Sequence, residues 1–271
     1  MMRYSLAPVN GIDLAYTVEG QGPALVLVHG LACGRRMWAH QVRHLRSDHT
    51  VIAYDQRGHD RSGAPETAQG YSAAHLTRDL AGLLDHLGIA RCHLVGFSLG
   101  GGPALALASS MPDRVASLVL ADVGAGAESP FLLPSLARRW ISLAEKRGMS
   151  ALADEMLWGE FFKTYAERSR RTRCHMRALI ESMPLHGLVF TLSEVLAKRK
   201  SLFRMTGVLR SIQVPTLVLR GEHDNVCRSA TKLLLQTIPG ARAAVIPGAA
   251  HMAPLEAPRV FSEAVRAFFL P

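Results

Sequence analysis

The stretch LVGFSLGGGP, Leu94–Pro103, sets one serine among four glycines, with apolar runs on either side. Glycine loses more backbone freedom on ordering than any other residue, so this clustering requires a structural reason. CHLVGFS reads as a strand buried on both faces. PALALASSM reads as a helix. Ser98 then lies at a sharp strand-to-helix turn. There the serine takes a strained conformation, and the positions two before and two after it must lack side chains; Gly96 and Gly100 fill them. The turn lifts the hydroxyl clear of the sheet and aims the first N–H groups of the new helix, from Leu99, at the space beside it, a setting that favours negative charge. The plainer alternative is a glycine-rich turn with Ser98 as a helix cap. Pro103 lacks the N–H that would pair with the Leu99 carbonyl, which predicts a distorted first turn.

Working outward, the same buried-strand pattern recurs in ALVLVHG, TVIAYD, VASLVLADV, VPTLVLRGEHD and ARAAVIPGAAH. Near the N-terminus Asn10-Gly11 is a two-residue hairpin signal between β-type runs. SAAHLTRDLAGLLDHLG puts Leu76, Leu80, Leu83, Leu84 and Leu87 on one helix face, with Ser72 as cap and Gly88 as stop. Strands alternating with helices predict an α/β fold: a mostly parallel central sheet of about eight strands, covered by helices on both sides. The alternation breaks once, from Ala125 to Met205. That segment is helical in pattern and holds 8 of the 17 aromatics and 5 of the 10 methionines. It predicts a helical cap over residues 125–205, inserted into a core of residues 1–124 and 206–271. Trp140, Trp158 and Phe161, with Phe162 and Tyr165, are its candidates for lining an apolar substrate site.

A serine hydroxyl is a weak nucleophile and needs a base. Of the histidines after Ser98, His251 follows a strand and opens the loop before the last helix, which suits that role. His175 and His186 lie in the insertion and read as surface groups; His223 adjoins the acid candidate. Asp224, at the end of VLRGEHD, is the expected acid, with Asp122 in LVLADVG the alternative. Asp55 and Asp60 precede the serine and read as loop braces. The second oxyanion donor is expected from HGLACG after ALVLV, where Gly30 permits a tight turn and the Leu31 amide joins that of Leu99. His29 reads as structural.

Composition excludes several classes. The chain has 271 residues, 48% hydrophobic and 20% charged, enough for a large core. There is no signal-like N-terminal run and no uncharged apolar stretch of about 18 residues, so a cytoplasmic, non-membrane protein is expected. Cys33, Cys92, Cys174 and Cys227 lack paired spacing and read as free thiols. The net charge is +9, and residues 125–205 carry 14 Lys and Arg against 8 Asp and Glu. The arginine-dense RSRRTRCHMR reads as a solvated helix face; no nucleic-acid motif accompanies it. His40 and His44 have metal-helix spacing, but Gln41 stands where a general-base glutamate would, and no third ligand is evident. No metal or cofactor is expected.

The set VHG with Gly30, YDQRGHDRS, GFSLGG, GEHD and GAAHMAPLEAP resembles the α/β-hydrolase family over nearly the whole chain outside the insertion. The resemblance implies a helical lid over the active site and a triad of Ser98, Asp224 and His251. Asp60 departs from the family pattern, which has Gly at that position. A serine at the turn counts against the haloalkane dehalogenase and epoxide hydrolase branches, which use aspartate. HGLACGRRMW and GEHD are similar to 3-oxoadipate enol-lactonases and small carboxylesterases, implying a small-molecule ester or lactone as substrate. Carbon–carbon hydrolases and perhydrolases share the scaffold, and a receptor-like binder with little turnover is the alternative from another class. Arg35 and Arg36, beyond the oxyanion turn, are candidates for meeting a substrate carboxylate or for a surface role.

Overall fold

The hairpin and the six apolar runs form one eight-stranded sheet in the computed structural model, which describes residues 3–126, 129 and 131–269. The strands are β1 (Ser5–Val9), β2 (Ile12–Glu19), β3 (Ala24–Val28), β4 (Thr50–Tyr54), β5 (Cys92–Phe97), β6 (Val115–Ala121), β7 (Thr216–Gly221) and β8 (Arg242–Ile246). Their order is β1-β2-β4-β3-β5-β6-β7-β8. The two pairings of β2 are antiparallel and all others parallel. Asn10 (φ 49°) and Gly11 (φ 77°) supply the left-handed pair that a tight hairpin turn requires.

Burial on both faces explains the continuous apolar runs of β3 to β7; β8, expected to be buried as well, is the edge strand and is largely exposed, with only Ile246 buried. Leu25 and Leu27 of β3 point into one core layer, and Val26 and Val28 into the other. The second layer is closed by helices Ala73–His86 and Gly101–Ser110, which pack on each other. Ser72 caps the first of these, its hydroxyl accepting from the His75 amide at 3.1 Å, and Gly88 (φ 65°) ends it. The first layer runs without a break from the sheet into the helices between β6 and β7, so Trp140, Met156 and Leu192 share one cluster with Val95 and Leu219. In that segment, helix Leu132–Leu157 is broken at Gly148 (φ 80°). Arg170–Glu181 follows behind a Ser169–Thr172 capping box, with Arg170, Arg171 and Arg173 solvent-facing as their pattern predicts. No single helix among the described residues is long and apolar enough to cross a membrane.

The chain leaves β3 toward β4 on one side and returns through β5 on the other. The carboxyl ends of β3 and β5 therefore flank a topological switch point, where parallel sheets leave a crevice. Both turns that open there depend on missing side chains. A Cβ on Gly100 would lie 2.4 Å from the Val28 carbonyl oxygen, and one on Gly96 within 2.8 Å of the Gly100 oxygen. Gly102 is different: a Cβ there meets nothing within 4 Å. Gly102→Ala is therefore expected to stabilise the protein by about 0.5–1 kcal/mol through the lost chain entropy of glycine in a helix. A urea titration checks this, and a fall in the midpoint would contradict it. Pro103 has the predicted effect: Ser98–Gly100 is a tighter 3₁₀ turn, and the α-helix begins only at Gly101.

Candidate active site

Ser98 is the one residue of its turn in the left-handed region, at φ 50°. A non-glycine residue held there costs on the order of 1–3 kcal/mol, which the packed strand and helix on either side sustain. Its hydroxyl lies 3.0 Å from His251 Nε2. His251 Nδ1 lies 2.9 Å from Asp224 Oδ2. The loop after β8 carries the imidazole and the loop after β7 carries the carboxylate, and β7 pairs with β8. The rings of Phe161 (5.0 Å, edge-on) and Phe97 (5.5 Å) hold the imidazole on its flanks. Asp224 is buried, and burial alone would push its carboxyl up. The hydrogen bond and charge of His251 outweigh this and bring it down to about 2. It is thus ionised across the neutral range and orients an imidazole that can take a proton from Ser98.

Asp122 stands behind this pair. It is fully buried at φ 50°, and its Oδ1 accepts the Gly221 amide at 2.8 Å. Burial first, then the neighbouring Asp224, hold its carboxyl well above the ordinary range. Two adjacent buried carboxylates do not both ionise. Asp224 faces the imidazole and keeps the charge, and Asp122 is held protonated beside it. Cys227 joins the cluster: its amide donates to Asp224 Oδ1 at 3.2 Å and its thiol to the Asp122 carbonyl at 3.2 Å. Asp224, Cys227 and His251 offer ligand atoms within 4.8 Å of one another. Burial and the two carboxyls push the Cys227 thiol well above its usual value, so in this cluster it stands as a protonated donor. The donor set fits a hydrogen-bonded relay.

On the other side of Ser98, Gly30 opens the turn after β3. A Cβ there would press on the Phe97 ring at 2.8 Å. Leu31 and Leu99 both line the cavity above the hydroxyl. The Leu99 amide belongs to the first turn of its helix, where N–H groups have no intrahelical acceptor. The Leu31 amide donates to no acceptor among the described residues. His29 is structural: its Nδ1–H donates to the Gly30 carbonyl at 2.8 Å and its Nε2 accepts the Gln56 amide at 2.9 Å. Burial holds it neutral, well below its ordinary value, with His59 adding to the effect.

The cavity over Ser98 holds about 30 Å³, room for a water or so, and is walled by apolar groups that include Trp140, Phe161, Phe162, Leu133 and Met252. A larger trough of about 370 Å³ opens beside it, also touching Ser98 and Leu99, with Pro103, Leu105, Val195 and Met205 along it. Trp140 and Phe161 thus line the cavity over Ser98. Trp158 does not: it is 52% exposed, with the Arg173 guanidinium over its ring at 5.3 Å. The helix ends at Leu157, so the face on which Trp158 emerges is outside the reach of its periodicity. Tyr165 is buried but turns to His175, its hydroxyl 2.9 Å from Nδ1. Arg35 and Arg36 are turned to Asp60, Arg35 pairs with the buried Asp55 as well, and neither lines the cavity or the trough at Ser98. Asp60 (φ 41°) holds the left-handed position that the family pattern gives to glycine, and its carboxylate locks the two arginines. His223 is exposed beside Glu222, and His40 lies at the surface. Arg199 was not singled out by the sequence, yet it lines the cavity with Ser98 and His251. In a run of three cations it carries the signature of a solvated face.

Residues 23–258 match the model of the alpha/beta hydrolase fold family. A putative 2-succinyl-6-hydroxy-2,4-cyclohexadiene-1-carboxylate synthase of Bacillus subtilis (strain 168) is 28% identical, covering 93% of this chain and 94% of its own. Among solved structures, the enol-lactonase from Burkholderia xenovorans LB400 superposes with a TM-score of 0.86 at 30% identity, over 97% of this chain and 99% of that one. A thermophilic esterase from Thermogutta terrifontis gives a TM-score of 0.87 at 29% identity, over 98% and 97%.

Proposed function

The chain belongs to the α/β-hydrolase fold family and is a hydrolase acting on ester bonds, and from that premise we propose that it cleaves a carboxylic ester or lactone through a covalent acyl-enzyme on Ser98. The observation that carries this reading is the unbroken relay of 3.0 Å and 2.9 Å from the Ser98 hydroxyl through His251 to Asp224. Ser98 Oγ attacks the carbonyl as its proton passes to His251 Nε2. The Leu31 and Leu99 amides receive the negative charge that builds on the carbonyl oxygen. The His251 proton then leaves with the alcohol. Water, activated by the same imidazole, releases the acid and restores the serine. The residues between β6 and β7 act as a lid that walls the reacting groups with apolar side chains. The test is labelling by a fluorophosphonate with the adduct mapped by mass spectrometry, followed by a panel of lactones and acyl esters. Labelling at Ser98 is expected. Tight ligand binding without any labelling would replace this reading with a non-catalytic binder.

Asp122 serves in this scheme as a positioning residue for Asp224. Its loss removes one hydrogen bond to a charged group, worth about 1.5–3 kcal/mol, or roughly 10- to 100-fold in kcat/KM. Asp122→Leu is expected to show that loss. Asp122→Asn keeps an acceptor for Gly221 and a donor for Asp224 and should retain most of the activity. Steady-state kinetics on both variants decide the matter: equal losses would mean that the retained proton, not the hydrogen bond, is what the site needs.

A further inference from the structure

The loop that carries His251 is gripped from two sides by side chains that the chemistry above does not use. Glu256 ends the short helical turn Ala253–Glu256, beyond the imidazole in GAAHMAPLEAP. Its side chain folds back into the loop, buried, and accepts the Ala250 amide, which has no other acceptor among the described residues. The Met252 amide points at the same carboxylate, so the backbone donors on either side of His251 converge on one group. Burial pushes the Glu256 carboxyl above its ordinary range, while the Ala250 amide, Arg168 and the Met252 amide pull the other way. On the core side, the buried Gln41 amide donates to the Pro254 carbonyl at 2.9 Å and to the Pro258 carbonyl at 3.3 Å. That is what the glutamine of HQVRH does. On the lid side, Arg168 donates through Nη1 to the Glu256 carbonyl and through Nη2 to the Gly248 carbonyl at 3.2 Å. Its guanidinium also stands 3.8 Å from the Glu256 carboxylate. Arg168 follows helix Lys163–Glu167, which packs on the Ala253–Glu256 turn. Phe161, just ahead of that helix, meets the imidazole edge-on.

From this arrangement we infer that Glu256 is a positioning residue for His251, and that Arg168 couples that positioning to the seating of the lid. The inference rests on the reading of His251 as the base that serves Ser98. The imidazole reaches the Ser98 hydroxyl only while the backbone at 250–252 keeps its direction, and Glu256 holds that backbone from both flanks. Without the carboxylate, the Ala250 amide is left buried and unpaired, and the loop shifts to find water or another acceptor. A displacement of about 1 Å at a reacting group is enough for a loss of roughly 100-fold in rate. Arg168 belongs to the segment between β6 and β7, yet it bonds the loop at both of its ends, Gly248 and Glu256. Seating that segment and aiming the base are therefore one packing event.

Kinetics and proton NMR separate positioning from a merely structural role. Glu256→Leu is expected to lower kcat on p-nitrophenyl acetate by roughly 10- to 100-fold with KM within about twofold. It should also weaken the low-field resonance of the His251 Nδ1–H that Asp224 holds. Glu256→Gln keeps an acceptor for the Ala250 amide and should return kcat to within about threefold of the unsubstituted protein. Arg168→Met, at a half-buried residue, should lower kcat about three- to tenfold alone, but by less than about twofold in the Glu256→Leu protein, because both act through one loop. Melting curves read stability separately. A folded Glu256→Leu protein with near-full kcat and an intact resonance would overturn the inference, as would equal losses in Glu256→Gln and Glu256→Leu or additive losses for Arg168→Met. Should Glu256→Leu fail to fold, full kcat and an unchanged resonance in Arg168→Met would overturn it. If the unsubstituted protein resists fluorophosphonate while the resonance follows the expected pattern, the positioning stands and the hydrolase reading falls.

Discussion

Ser98→Ala is expected to lower turnover of an activated ester such as p-nitrophenyl acetate by roughly 10⁵- to 10⁶-fold and to abolish fluorophosphonate labelling. The magnitude follows from the unit that the three side chains form. Without the hydroxyl, the imidazole and carboxylate have no nucleophile to activate, and only binding and the Leu31 and Leu99 amides remain. His251→Ala should fall almost as far, and combining the two should add little, because each alone disables the same step. Asp224→Asn leaves the nucleophile and base in place but disturbs the tautomer of the imidazole, for roughly 10⁴-fold. The substitution at Ser98 removes one hydrogen bond, at 3.0 Å, and leaves the turn's backbone in place, so stability should change by only about 1 kcal/mol. A well-folded Ser98→Ala protein with near-full turnover would end the acyl-enzyme scheme.

Asp79→Ala is expected to be the most destabilising single change outside the site, at about 3–5 kcal/mol. Arg57 donates to both oxygens of Asp79, Nε to Oδ2 at 2.6 Å and Nη2 to Oδ1 at 2.7 Å, with both side chains about 2% exposed or less. The Asn10 amide reaches the same carboxylate at 3.1 Å and ties the hairpin turn to it. Removing Asp79 leaves a fully enclosed guanidinium without a counter-charge and frees the hairpin. At this chain length the loss corresponds to a melting temperature lower by on the order of 10 °C. Arg114 and Asp85 form a pair of similar length, 2.7 Å, at the surface, and Asp85→Ala should cost less than about 1 kcal/mol. Replacing both members of the buried pair, as Arg57→Met with Asp79→Leu, should recover much of the loss, since the cost lies in the unpaired charge. Calorimetric melting of the three variants tests this; a small loss in Asp79→Ala would mean that water reaches Arg57.

Much of this arrangement was legible before any coordinates. The five inner strands β3 to β7 announced themselves because they are buried on both faces, and the Asn10-Gly11 hairpin because few other residue pairs accept that turn. The fate of individual side chains was less visible. Trp158 lies beyond the end of a helix whose register no longer constrains it. Arg35 and Arg36 are claimed by Asp60, about 25 residues away in sequence, whose left-handed backbone is a detail of loop geometry. Arg199 sits in KRK, a composition that normally faces water.

Local chemistry determined which segments become strands and helices, and which turn strains its serine, because periodicity and missing side chains act over a few residues. Only the tertiary structure decided that Ser98 and His251, 153 residues apart, stand 3.0 Å from each other, that Asp224 and not Asp122 reaches the His251 imidazole, and that Arg199 lines the cavity. Those outcomes depend on how the sheet orders its strands and how the helices between β6 and β7 settle over the crevice. The packing of distant surfaces fixes both, and no short window of the chain contains that information.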